Sequence, residues 1–345
     1  MWIRFDLYDL IMDAAEAPPF DYNEFGLFHE NIAEFELPVG ELPPVERVSV
    51  QLRSGSGRTV SALRWGVGAA DVVFVHGGAQ NAHTWDTVAL ALGRPALAVD
   101  LPGHGHSAWR DDGAYTPHNL ADDIAVMVEE HAPTARVIVG MSLGGLTSME
   151  LAVRHPALVR RLVLVDITPG VDQQKAKAVL DFVDGPQEFA SFEDLLDRTI
   201  RFNPTRSESS LRRGILHNAV QARDGSWQWR YDRSSHVRSR DETDTNGETG
   251  DSLRAAGDSG GDISRSGMRP VASKAMSPMW DDFGSVAVPL TLVRGSTSPV
   301  VDDDDVAEAR KRQPGIDVRV IEGAGHSVQG DRPVELATVV EDLIG

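Results

Sequence analysis

The capacity of this sequence for covalent chemistry is concentrated in Gly140-Met141-Ser142-Leu143-Gly144. A serine with glycine two residues away on either side can occupy a strand-to-helix turn too tight for bulkier neighbours. Such a turn strains the serine backbone and points its hydroxyl outward at a helix N-terminus, where unpaired N–H groups can stabilise a developing oxyanion. The chemistry on offer is nucleophilic attack by a hydroxyl, which needs an adjacent base. The same five residues also fit a plainer role, a glycine-rich turn whose serine caps a helix. The residues around the motif have to decide between the two.

On the N-terminal side Val137-Ile138-Val139 forms a short β-branched run, and on the C-terminal side Leu146, Met149, Leu151 and Ala152 recur at helical spacing. That is the strand–turn–helix context the motif requires. Elsewhere residues 48–52 and 59–65 alternate around Ser54-Gly55-Ser56-Gly57 as a β-hairpin. Continuous apolar runs at 71–75, 96–100 and 162–165 read as strands buried on both faces, with helices at 83–92 and 117–130. The alternation resumes with a strand at 290–293, a helix at 306–311, a strand at 318–321, Gly323-Ala324-Gly325-His326 and a final helix from Pro333. It predicts an α/β protein with a mostly parallel, doubly wound sheet. Ligands of such sheets bind at the carboxyl ends of the strands, where His76, Asp100, Ser142 and Asp166 all stand.

The chain divides accordingly. Residues 1–44 form an N-terminal arm, with Trp2, Phe5, Leu7, Leu10 and Ile11 on a short amphipathic helix stopped by Pro18-Pro19. Residues 45–168 and 285–345 make the α/β core. Between them the strand pattern stops, and 171–184, 192–202 and 211–220 read as helices of a lid spanning 169–235. Trp227, Trp229 and Tyr231 near its end read as packing residues that could also serve as a lid lining. Residues 236–275 are a low-complexity insertion; between 238 and 267 the only large apolar residues are Leu253 and Ile263. Such a segment buries too little surface to offset its ordering entropy, so it is expected to be disordered.

Composition narrows the function. The net charge of −19 over 345 residues works against nucleic acid or an anionic membrane as partner, since phosphate binding needs clustered Lys and Arg. With no cysteine there is no thiol catalysis, disulfide or thiolate metal site. No secretory h-region and no run of transmembrane length is present, which makes a cytoplasmic location the expectation. Nothing in the sequence carries a signature of oligomeric state.

Taken in order, His76-Gly77-Gly78, Asp100-Leu101-Pro102-Gly103-His104-Gly105-His106-Ser107, Gly140 to Gly144 and Gly325-His326 resemble the α/β-hydrolase fold family. The resemblance covers about residues 45–345, insertion excluded. It implies that Ser142 is the nucleophile and His326 the general base. It implies an oxyanion hole made by the backbone N–H groups of Gly78 and Leu143. His76, His104 and His106 are expected to be structural, and Asp100 to brace its loop.

One position departs from the family pattern. The acid commonly follows the strand ending Leu292-Val293-Arg294-Gly295, and the matching residue here is Ser298, which cannot stabilise an imidazolium by charge. Other members carry the acid after the strand that follows the elbow helix, which makes Asp166 the favoured acid. Asp302, Asp303, Asp304 and Asp305 are its rivals, although four acids opening a helix also complement the helix dipole. A Ser–His dyad without an acid is the third possibility. The resemblance implies a serine hydrolase that cleaves a small apolar carboxylic ester through an acyl-enzyme, with no metal or organic cofactor. Haloperoxidase, lactonase or C–C hydrolase chemistry fits the same residues, and a non-catalytic ligand-binding homologue is the alternative from another class.

Overall fold

The computed structural model describes residues 22–53, 57–171, 174–233 and 278–345. The predicted helix before Pro18, the turn residues 54–56 and the insertion at 236–275 lie outside the described residues. At the centre is an eight-stranded sheet built from β1 (Val45–Gln51), β2 (Thr59–Trp65), β3 (Val72–Val75), β4 (Ala96–Asp100), β5 (Val137–Met141), β6 (Leu162–Val165), β10 (Leu290–Gly295) and β11 (Asp317–Ile321). The spatial order is β1-β2-β4-β3-β5-β6-β10-β11. β1 and β2 are the expected antiparallel hairpin and β2 also runs antiparallel to β4, whereas the pairs from β4 to β11 are all parallel.

The continuous apolar runs are explained by burial on both faces. Val73, Val75, Ile138 and Leu164 face one layer, which holds α3 (Pro117–His131), α4 (Leu143–Arg154) and α8 (Met279–Ser285). Their neighbours Val72, Phe74, Val139 and Val165 face the other, which holds α2 (Asp86–Leu92), α10 (Pro333–Ile344) and α1 (Phe28–Glu34). Successive side chains of a strand point to opposite faces, so a strand between two helical layers has no polar side. Helix ends follow local rules: Thr116 accepts the Asn119 N–H ahead of Pro117, and Gly93 closes α2 at φ 62°.

The N-terminal arm is bound to the core through α1, where Phe28 packs against Trp65 at 4.9 Å between ring centroids. The segment 174–233 holds α5 (Lys177–Val183), β7 (Glu188–Phe189), α6 (Phe192–Phe202), α7 (Glu208–Asn218), β8 (Ala219–Gln221) and β9 (Trp227–Trp229). Here the expectation of helices alone needs correcting. β7, β9 and β8 form a small antiparallel sheet, and the chain that was expected to be helical to residue 220 turns into β8 after Asn218. Strands of two or three residues are too short to show an alternating pattern. Trp227, Trp229 and Tyr231 do pack, joining Phe189, Leu195 and Ile215 in a separate hydrophobic cluster. No helix among the described residues is long and apolar enough to cross a membrane.

Candidate active site

Ser142 stands one residue past the end of β5 at φ 51°, a conformation rare for a residue with a Cβ. Its N–H still donates to Val165 O at 3.2 Å, so the sheet ladder holds the turn in place. The flanking glycines are required by contact. A Cβ on Gly140 would sit 2.4 Å from Gly144 O, and one on Gly144 would sit 2.3 Å from both Val75 O and His76 O. Helix α4 therefore begins pressed onto the end of β3, with Ser142 at its N-terminus. Ser142 makes no side-chain capping bond, which removes the plainer role considered for it.

Asp166 repeats this geometry on the next strand. It follows β6 at φ 51°, and its N–H donates to Val293 O at 2.7 Å. Its carboxylate is fully buried, and Oδ1 accepts the Gly295 N–H at 3.0 Å. Oδ2 accepts from the Ser298 hydroxyl and lies 2.9 Å from His326 Nδ1. On its other side His326 places Nε2 3.1 Å from Ser142 Oγ. With the proton on Nδ1, the imidazole is left with an acceptor nitrogen aimed at the serine hydroxyl.

His326 comes from the loop after β11. Thr297 N–H and its hydroxyl donate to Ala324 O at 3.0 and 2.8 Å, and Gly325 N–H donates to Asp331 Oδ2 at 2.7 Å. A Cβ on Gly295 would meet Gly325 O at 2.4 Å, so glycine there lets the β10 and β11 loops touch. The position matching the usual acid is thus occupied by a donor: Ser298 holds the carboxylate that β6 supplies. Asp302, Asp303, Asp304 and Asp305 do not meet His326. They open α9 (Asp303–Arg312), where Asp302 and Asp305 form a reciprocal capping box, Asp303 pairs with Arg294, and Lys175 binds Asp302 and Asp305.

Gly78 and Leu143 lie side by side, a Cβ on Gly78 falling 3.9 Å from Leu143 Cδ2. The amides either side of Gly78 are occupied, Gly77 N–H by Gln80 Oε1 and Ala79 N–H by His104 Nε2, both at 3.1 Å. Leu143 N–H is the first of α4 and so has no acceptor within its own helix. His76 accepts the Leu101 N–H through Nε2 at 2.9 Å, and Asp100 accepts from Ala82 N–H, His106 N–H and Arg47. These are the structural roles expected of them.

Ser142 and His326 open into a cavity of about 300 Å³. Its walls come from the strand ends and from the 174–233 segment, which contributes Val179, Phe182, Ile215 and Trp229. A polar cluster that sequence reasoning missed also lines it. His83 is held between Asp86 (2.9 Å) and Glu24 (3.2 Å), and its ring stacks on that of His217 at 3.8 Å. Burial alone would lower the His83 pKa, but the carboxylates of Asp86 and Glu24 outweigh it and raise the value to about 9. Burial and the neighbouring His83 charge push His217 well below the ordinary range. A protonated His83 therefore stacks on a neutral His217, whose Nδ1 meets the Tyr22 hydroxyl at 2.5 Å. His83, Asp86 and His217 bring one potential ligand atom each within 4.8 Å of one another, the grouping among the described residues whose spacing a metal ion could bridge. These residues come from the arm, the core and the inserted segment, so no single stretch of sequence signals them.

Residues 72–339 match a family described as the alpha/beta hydrolase family. Esterase Rv0045c of Mycobacterium tuberculosis is 43% identical over 329 residues, covering 93% of this chain and 96% of that protein. A crystal structure of that esterase superposes with a TM-score of 0.73 at 42% identity, covering 95% of this chain and 99% of that one. The 2-(acetamidomethylene)succinate hydrolase of Mesorhizobium japonicum is 26% identical over 273 residues, covering 76% of this chain and 83% of that protein.

Proposed function

Because this chain belongs to the alpha/beta hydrolase family, we propose that it is a serine esterase acting through an acyl-enzyme on Ser142. The single observation that carries this reading is the hydrogen-bonded series Ser142 Oγ, His326 and Asp166 at the edge of a cavity. His326 Nε2 takes the hydroxyl proton as Ser142 Oγ attacks the ester carbonyl. Asp166 keeps the other ring proton on Nδ1 and stabilises the imidazolium that forms. The tetrahedral oxyanion is received by the N–H groups of Leu143 and Gly78, the first at the positive end of α4. Collapse breaks the ester C–O bond, and His326 returns its proton to the departing alkoxide oxygen. Water then repeats the sequence on the acyl-enzyme with His326 as base, releasing the acid and restoring Ser142.

Residues 174–233 serve as the lid, which excludes water and shapes the acyl site. With Val179, Phe182, Ile215 and Trp229 in its wall, a cavity of about 300 Å³ suits a small ester with an apolar chain. A fluorophosphonate probe tests the reading. Labelling of one equivalent per chain at Ser142, lost in Ser142→Ala along with p-nitrophenyl ester turnover, is the expected outcome. A folded protein that is not labelled contradicts it and favours a ligand-binding homologue.

A further inference from the structure

Besides His83, which is held by Asp86 and Glu24, the cavity is bordered by the lysine and arginine side chains of Lys175, Arg206 and Arg213. Lys175 is paired with Asp302 and Asp305. Arg213 is paired with Glu30 and Glu34. Arg206 differs from both. Its Nη2 donates to the Ser210 hydroxyl at 2.6 Å, its Nε is buried with no hydrogen-bond partner, and no carboxylate among the described residues lies within ion-pair distance of it. The guanidinium rests on the backbone of Gly330, where a Cβ would be 2.8 Å from Cζ. Gly330 lies four residues past His326, in the short helical turn 328–331, so this charge rests against the segment that directly follows the base facing Ser142.

On this half-buried guanidinium, a buried Nε–H without an acceptor is unfavourable unless something in the working protein supplies one. Burial and the like charge of Arg213 push the Arg206 pKa down from the ordinary arginine value, while Asp331 and Glu34 favour the charge without forming an ion pair with it. The guanidinium fork is shaped to receive a carboxylate through two parallel N–H···O bonds. One cation without an ion-pair partner among the described residues matches one singly charged anion, whereas a phosphate dianion would leave a negative charge unbalanced in a chain already at −19. In a protein of that net charge an anionic ester gains nothing from long-range steering, so recognition has to come from a local cation inside the cavity.

We propose that Arg206 is a specificity residue that binds a free carboxylate on the ester substrate, so that the preferred substrates are carboxylate-bearing esters rather than neutral ones. The assignment rests on the esterase reading above. The carboxylate can belong to the acyl chain, as in a diacid hemiester, or to the alcohol. The test compares kcat/KM for monomethyl glutarate against methyl pentanoate, and for carboxymethyl acetate against propyl acetate, in wild type, Arg206→Gln and Arg206→Lys. In wild type one of the two ratios is expected to exceed about tenfold. Arg206→Gln brings that ratio to about one, and Arg206→Lys keeps part of it. A wild-type ratio at or below one in both pairs, or a preference unchanged in a folded Arg206→Gln protein, overturns the proposal. Calorimetric binding of glutarate to Ser142→Ala protein provides a readout without turnover. Where the glutarate ester is the preferred one, glutarate that binds no better than the neutral pentanamide overturns the proposal as well. Failure of the esterase reading is separate and shows as loss of fluorophosphonate labelling.

Discussion

On the sheet side of the cavity, Ser142 and Asp166 each stand one residue beyond a parallel strand, both at φ 51° and both with the backbone N–H on the neighbouring strand. On the inserted side, Arg206 stands in a loop before α7 and His217 near the end of that helix, where His217 meets Tyr22 and His83 from far away in sequence. The sheet side is positioned by main-chain contacts that tolerate no Cβ at Gly140 or Gly144. The inserted side is positioned by charge and hydrogen-bond pairing. A site of this kind keeps its chemistry on the part that cannot move and its selectivity on the part that can vary.

The Ser298 contact sharpens the comparison most, because it reaches into the sheet side by a side chain alone. In Ser298→Asp two carboxylates would share the space around Asp166 Oδ2, and like charges at that distance force one of them to take a proton. The expected result is a fall in kcat of at least about 100-fold at pH 7, corresponding to about 2.7 kcal/mol of barrier. Ser298→Ala removes one donor but leaves the Gly295 N–H and His326 on the carboxylate. Its kcat is expected to fall less than about tenfold, in line with roughly 1 kcal/mol for a single hydrogen bond. Steady-state kinetics on one p-nitrophenyl ester check both, and the reverse ranking would show that Ser298 is a vacant acid position after all.

A smaller effect concerns the cluster that ties arm, core and inserted segment together. The folded pKa of His83, about 9, lies above the ordinary 6.5, so its contribution to stability is full below about pH 6.5 and disappears as pH rises through 9. The groups facing it are Asp86, Glu24 and His217. His83→Gln should therefore have a lower Tm than wild type at pH 6.5, with the gap closing by several degrees at pH 9.5. Thermal unfolding at the two pH values checks this, and a gap that is constant with pH would mean that His83 is uncharged in the folded protein.

How much of this could be read from the sequence follows the same division. Strand period and the Gly-x-Ser-x-Gly turn are local signals that outline the sheet and the turn at Ser142, whereas the role of His326 comes from the resemblance carried by four motifs in order. Asp166 was legible as a position, one residue after Leu162-Val163-Leu164-Val165, but not as a carboxylate in contact with Ser298, 132 residues away in sequence. Asn203-Pro204-Thr205-Arg206 has no periodicity and no motif, and the chemistry of Arg206 lies in the partners it lacks. The strands β7, β8 and β9 were missed because two or three residues cannot display a period.

The central claim is that the acid after β6, and not one after β10, completes the site. The direct measurement is kcat for Asp166→Asn, with circular dichroism to confirm the fold. An amide at this position favours the wrong imidazole tautomer, so kcat is expected to fall by about 10³–10⁴-fold in a folded protein. A folded Asp166→Asn protein with turnover near that of wild type would contradict the account.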